Sequence, residues 1–232
     1  MQKVQKTKKS RSLAEKINVM RASVMGANDG ILSVAGIVIG VAGAKSNSYA
    51  IFLAGIAGML AGTISMAMGE WVSVSTQRDS ERRAIEKESA ALDGHYDDEF
   101  DFIKNKYQGT GISEELALKA TQEMMSDDPL DVAVRERFGF NPKEHTSAIA
   151  AAMASMISFP TGSILPLVSI TFFPENIRII ATVIAVVIAL SITGYTAAAL
   201  GNADRTKAVF RNVISGVLTM IVTYFIGSLF AH

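Results

Sequence analysis

The chain has no cysteine and one tryptophan, only 7% of its 232 residues are aromatic, and its 22 basic and 22 acidic side chains cancel to a formal net charge of zero. Each shortage excludes something. Without cysteine there is no disulfide framework, no thiolate metal site and no cysteine nucleophile. Net neutrality argues against a general nucleic-acid binder, so no nucleic-acid partner is expected. No G-x-x-x-x-G-K-[ST] loop occurs, which leaves ATP hydrolysis without support, and no Glu-x-x-His occurs, which disfavours a ferritin-type di-iron bundle. The three histidines, His95, His145 and His232, are scattered. No catalytic triad, catalytic residue or prosthetic group is indicated, so an enzyme is not expected.

What is abundant is apolar sequence. Hydrophobic residues make up 49% of the chain and the mean hydropathy is +0.29, high for a chain with 19% charged residues. The charges are segregated into the first 21 residues and a stretch near the middle. Five apolar stretches remain: Ala22–Ala44, Ser46–Gln77, Thr146–Phe173, Ile179–Ala203 and Asn212–Ala231. Each is long enough for a helix to cross a bilayer, which takes ~20 residues. Backbone polar groups cannot stay unpaired in hydrocarbon, so these read as helices. They lack the short alternating pattern of membrane-barrel strands. The first carries an acid and outruns the ~7–15 apolar residues of a cleaved signal peptide.

The expected class is therefore an all-α membrane protein with five transmembrane helices. Its segments are a basic N-terminal arm (1–21), spans one and two (22–77), an acidic helical domain (78–145) and spans three to five (146–232). Lys and Arg in alternate connections total 20 against 2, which places the N-terminus and the middle domain in the cytoplasm and the C-terminus outside. The absence of a targeting segment fits a bacterial inner membrane.

The middle domain holds 15 of the 22 acids between Asp79 and Asp131, plus Glu136. Helix stop and start signals divide it into four pieces. Arg78–Leu92 continues out of span two and ends at Gly94, and Asp97–Tyr107 follows. Ser113 caps a third piece, with Glu114 and Glu115 in its first turn, and Asp127-Asp128-Pro129 opens a fourth that ends near Gly139. Pieces this short are too small for an independent core and should pack on one another, on a partner subunit, or both. Their acids read either as a solvated face or as a metal-collecting site.

The sharpest chemical signal is a pair of acids inside spans, Asp29 and Glu70. An acid there costs roughly 2.5–3.5 kcal/mol on insertion and by default marks an ion or proton path. Span one leaves the cytoplasm and span two returns to it, so both acids fall at similar depth near the inner leaflet. Met66 lies four residues before Glu70 and Ser33 four after Asp29, each on its acid's helical face. Two hard oxygens with a soft sulfur suit Fe²⁺ or Mn²⁺ better than Mg²⁺ or Ca²⁺. The bland alternatives are acids snorkelling to the interface and a methionine filling a packing gap. Gly36 with Gly40, and Gly58 with Gly62, form small-xxx-small faces that serve either packing of spans one and two or a dimer interface. Pro160 and Pro166 predict a kink or break in span three.

The chain resembles the vacuolar iron transporter family. The resemblance rests on Ala27-Asn28-Asp29-Gly30-Ile31, on Ser65-Met66-Ala67-Met68-Gly69-Glu70-Trp71-Val72-Ser73-Val74, and on Ser126-Asp127-Asp128-Pro129-Leu130. It implies a homodimer that exports Fe²⁺ or Mn²⁺ from the cytoplasm in exchange for protons. Its ion path would lie at the dimer interface, through Asp29, Met66 and Glu70. The family's cytoplasmic site uses glutamate pairs, of which Glu88 and Glu99 match one member each. The second members are Ala91 and Phe102 here, and the family's methionine and glutamate on the last helix fall at Ala133 and Arg137. His95, Asp98, Asp101 and Glu136 are the groups left to rebuild that site. The rival reading is a non-transporting membrane sensor or scaffold acting through the acidic domain.

Overall fold

The computed structural model describes residues 13–144 and 146–231. Lys3, Lys6, Lys8, Lys9 and Arg11 of the basic arm, together with His145 and His232, lie outside the described residues. Among the described residues there are seven α-helices and no strand: α1 (Leu13–Gly43), α2 (Ser48–Gly109), α3 (Glu114–Met125), α4 (Pro129–Phe138), α5 (Ala148–Phe172), α6 (Arg178–Leu200) and α7 (Arg205–Ser228). Five of them, α1, α2, α5, α6 and α7, are long and apolar enough to cross a membrane.

The helices start where short polar side chains can bond free backbone N–H groups. Asn47 Oδ1 accepts from Ala50 N at 2.8 Å, Ser147 Oγ from Ala150 N at 3.2 Å, Asp204 Oδ1 from Lys207 N at 3.1 Å, and Asp128 Oδ1 from Asp131 N at 3.1 Å. Gly139 ends α4 in the left-handed conformation (φ 76°), which glycine adopts without a Cβ penalty. Ser113 stands at the N-cap of α3, as expected, but its side chain makes no cap bond.

Two boundaries differ from expectation. First, α1 begins at Leu13 rather than near Ala22. The residues LAEKINVMR mix apolar with polar side chains, but most of them are good helix formers, and a helix need not stop where the hydrocarbon does. Second, the break expected at Gly94 falls one residue further on: α2 is two helical pieces joined across a kink at the non-helical His95 (φ −144°, ψ 47°). Of the kink or break expected in α5, the break is absent: the helix runs through Pro160 and Pro166. Hydroxyls beside Pro160 bond back to neighbouring carbonyls, Thr161 to Ile157 O at 2.7 Å and Ser163 to Phe159 O at 2.8 Å. Such side chains let a span tolerate proline.

The described chain divides into two compact units, residues 16–72 with 147–231, and residues 13–15 with 73–146. In the apolar unit α1 is the central helix. Its residues Ile31, Val34, Ala35, Val38, Ile39 and Ala42, at helical spacing, are buried against Ile51, Leu167, Ile170, Val186, Leu190 and Met220. The backbones of α1 and α5 nearly touch. A Cβ on Gly30 would lie 2.1 Å from Phe159 O, and one on Gly162 would lie 2.1 Å from Ala27 O.

The small-xxx-small faces are filled within the chain. Gly36 and Gly40 face Thr219 and Thr223 of α7 rather than span two, because α7 offers the narrow threonine stripe that fits them. Gly58 faces Ile37 of α1, and Gly62 faces the Phe159 ring of α5.

In the charged unit α2, α3 and α4 pack on one another. Ile103, Met125 and Ala133 form a small buried cluster, with Leu92, Phe100, Tyr107, Met124 and Val132 around it. Ion pairs, described next, supply much of the rest.

Candidate functional site

Asp29, Ser33, Met66 and Glu70 line one open cavity of about 500 Å³ in the apolar unit. From α1 come Met25, Asp29 and Ser33, one every four residues and hence on one face. From α2 come Gly58, Ala61, Gly62, Ser65, Met66, Gly69 and Glu70, and Phe159 of α5 completes the wall. Four of these seven α2 residues carry no side chain beyond a methyl group, which leaves the space empty. Ser33 Oγ donates to Asp29 Oδ1 at 2.9 Å and fixes the carboxylate's direction. Glu70 is buried, 6% exposed, and accepts from Arg21 Nη2 at 3.0 Å. Asp29 and Met66 are half-buried. The cavity thus offers two carboxylates, two thioethers and two hydroxyls, a donor set that mixes hard oxygen and soft sulfur.

One member of this wall, Met25, went unnoticed as a sequence signal although it lies at readable spacing, four residues before Asp29. Arg21, which bonds Glu70, is a second overlooked group. A third is Asn28. Its Oδ1 accepts from Asn212 Nδ2 of α7 at 3.1 Å and from Thr193 Oγ1 of α6 at 3.4 Å. Successive helical residues point about 100° apart, so this anchor on the far side of α1 sets the rotation that turns Asp29 to the cavity.

Glu88 and Glu99 also come together, in the charged unit. They are 2% and 8% exposed, and Arg137 lies between them. Its Nε is 3.3 Å from Glu88 Oε2, its Nη2 bonds Glu99, and its guanidinium stacks 4.0 Å from the centroid of the Phe102 ring. Burial, together with the neighbouring Glu99 carboxylate, raises the pKa of Glu88 above its ordinary value, with Arg137 opposing the rise. Glu88 Oε1 is buried without a hydrogen-bond partner. Ala133, beside this pair on α4, is buried too.

The groups left to rebuild a site do not converge. His95 pairs loosely with Asp98 at 4.0 Å, Asp101 with Lys104 at 2.6 Å, and Glu136 binds Lys106 and the Tyr107 hydroxyl. Among the described residues no group of three or more His, Cys, Asp or Glu side chains is arranged to hold a metal ion.

Five membrane-length helices, a charged unit between the second and third of them in the chain, and an acid-lined cavity between the first two define a class of protein: a polytopic helical membrane protein with ionisable groups in its helix bundle. Comparison with known sequences makes this specific. Residues 20–228 match the family model of the VIT family. The chain is 32% identical to a protein named vacuolar iron transporter from Acanthamoeba castellanii, over 90% of this chain and 78% of that one. It is 34% identical to vacuolar iron transporter homolog 2.1 of Arabidopsis thaliana, over 96% and 92%, and 31% identical to homolog 5 of Oryza sativa, over 94% and 83%. The chain belongs to the VIT family.

Proposed function

We propose that the protein is a transmembrane transporter of Fe²⁺ or Mn²⁺, exporting the ion from the cytoplasm in exchange for protons. The observation that carries this reading is the single cavity lined by Asp29, Met66 and Glu70. One acid in a span already marks an ion or proton path by default, and two acids and a thioether sharing one space form a ligand set. The relatives' names, vacuolar iron transporter and its homologs, agree with the iron-transport part of this reading.

Each carboxylate binds the ion in its charged form, Met66 supplies a soft donor that disfavours Mg²⁺, and protonation from the far side releases the ion. The distribution of Lys and Arg supports a cytoplasmic N-terminus and a cytoplasmic charged unit. The protein acts as a homodimer. The cavity between α1 and α2 is open on one side, where a second copy would close it.

Glu88 and Glu99 serve a different purpose in this reading. Arg137 takes the place a metal ion would hold between them, so the charged unit supports the fold and collects no ion. The sensor reading has that unit bind metal or a partner protein, and the guanidinium argues against the metal form of it.

The test is metal flux into proteoliposomes, comparing Fe²⁺, Mn²⁺ and Mg²⁺ with and without a pH gradient. Flux of Fe²⁺ or Mn²⁺ that the gradient stimulates, and that is lost in Asp29→Ala and in Glu70→Ala, is the expected result. Normal flux in either variant would remove that residue from the path, and no flux from folded protein would favour the sensor.

A further inference from the structure

One carboxylate of the cavity wall, Glu70, is already paired with a cation of the chain. Arg21 sits on α1, one turn before Met25 and two before Asp29, and its Nη2 lies 3.0 Å from Glu70 Oε2. The same guanidinium donates to Met25 Sδ at 3.2 Å and to Asn18 Oδ1 at 3.1 Å. It therefore engages a carboxylate and a thioether that line the cavity. The two ends of the pair differ: Glu70 is 6% exposed and Arg21 is 46% exposed. The carboxylate is the fixed end, and the long flexible arginine is the end that can withdraw to water.

We infer that Arg21 is the tethered counter-ion of the metal path, neutralising Glu70 in the empty cavity and displaced from it when a divalent cation binds. The inference rests on the reading that this cavity carries the metal. Like charges repel strongly where water is scarce, so a guanidinium and a divalent ion do not share one buried carboxylate. Arginine does not lose its proton in proteins, so the exchange proceeds by movement of the side chain and not by its titration. A monovalent ion gains nothing over the guanidinium it would replace, whereas a divalent ion does. Arg21 thus sets metal affinity through competition, favours ions of higher charge, and restores neutrality at Glu70 once the ion has left. A purely structural role predicts the opposite sign: losing Arg21 would weaken the cavity and its binding.

The experiment is equilibrium binding of Mn²⁺ to the full chain in detergent, read from the electron paramagnetic resonance signal of free Mn²⁺. The variants are Arg21→Gln, Arg21→Lys, and Arg21→Gln in a Glu70→Gln background, each checked for folding by size-exclusion profile. Arg21→Gln should bind Mn²⁺ roughly tenfold more tightly, equivalent to about 1.4 kcal/mol. Arg21→Lys keeps the charge and should stay within about twofold of the natural chain, and the gain should vanish when Glu70 is also replaced. Should Arg21→Gln fail to fold, Asn18→Ala, which removes one anchor of the guanidinium, should tighten binding about twofold. Mn²⁺ binding by the natural chain that folded Arg21→Gln leaves unchanged or weakens would overturn the counter-ion role alone. A gain that persists without Glu70 would overturn it as well. No Mn²⁺ binding by any of the variants would overturn the metal reading itself, and this inference with it.

Discussion

Replacing Arg137 with methionine removes the cation shared by Glu88 and Glu99 while keeping much of the side chain's apolar stem. The two carboxylates are 2% and 8% exposed, so water cannot take over the guanidinium's role. Removing one partner of a fully buried ion pair costs about 3–5 kcal/mol. Arg137 is 33% exposed, which screens part of its interaction, and about 2–3 kcal/mol is the expected loss. The contact with the Phe102 ring adds about 0.5–1 kcal/mol to the arginine's side of the balance, which methionine only partly restores.

The loss should depend on pH, with a definite sign. Glu88 lies well past the apolar part of α2, and burial with its Glu99 neighbour already raises its pKa, while Arg137 lowers it. Without the arginine the rise becomes larger. A carboxyl whose folded pKa exceeds its unfolded one binds more protons in the native state, so native stability falls as pH rises through that interval. The variant should therefore be weakest above neutrality and recover toward pH ~5, near the ordinary glutamate range of about 4.3. Thermal melting of the full chain in detergent from pH 5 to 8 measures this. A drop of roughly 5 °C or more at pH 8 that narrows at pH 5 is expected. An unchanged melt, or a deficit equal at both ends of the range, would refute the assignment of Arg137 as the pair's counter-ion.

Two further outcomes test the rest of the charged unit. The Tyr107 hydroxyl donates to Glu136 Oε1 at 2.7 Å, and its pKa is pushed up to about 12 by burial and by that carboxylate. Tyr107→Phe should cost about 1 kcal/mol at neutral pH. It should also abolish the decline in stability between pH ~10, where a free tyrosine ionises, and about 12. Ultraviolet titration of phenolate together with melting measures both, and ionisation of Tyr107 with the exposed tyrosines would contradict it. Asp128 caps α4 and also pairs with Lys143 at 2.8 Å, which, with the Asp131 N–H, holds its carboxyl below the usual range. Asp128→Ala should cost about 1 kcal/mol, and Asp128→Asn, which still caps, should keep most of the stability. The alanine deficit should shrink as pH falls below about 3.9 and the natural carboxylate protonates. Chemical unfolding at pH 7 and pH 3 checks it, and equal losses in the two variants would show that the cap is not what matters.

Much of the fold was legible because it follows from local rules. Apolar length gave the five spans, and the caps at Asp128 and Gly139 placed α4 within a residue. The misses have physical causes. Helix α1 begins earlier than expected because hydropathy marks where a helix enters lipid, whereas hydrogen bonding decides where it begins. Prolines in α5 predicted a kink or break because proline removes one backbone donor, but the count of nearby hydroxyls that compensate depends on rotamers no sequence displays. The glycine faces of α1 were read as meeting α2 or a second copy, and they meet α7. Spacing shows that a helix has a narrow face, but not which neighbour fills it.

The same distinction explains what was hidden in the cavity. Asp29, Ser33, Met66 and Glu70 could be grouped from sequence because acids in apolar runs are expensive enough to stand out, and residues four apart share a face. Arg21 and Arg137 could not, although both were in plain view. One counted toward membrane orientation and the other toward a lost ligand. An arginine near the end of a span or on a surface helix is ordinary by every local rule, and it becomes informative only when the fold delivers a buried carboxylate to it from 49 residues away, as with Glu70, or from 38, as with Glu99. In both units a guanidinium therefore stands against carboxylates that a divalent ion would otherwise claim. The difference between them is exchangeability. Arg137 binds two buried acids and an aromatic ring, a well-anchored arrangement, whereas Arg21 holds one acid from a side chain nearly half in solvent. On that contrast the charged unit keeps its cation and Glu70 gives its own up.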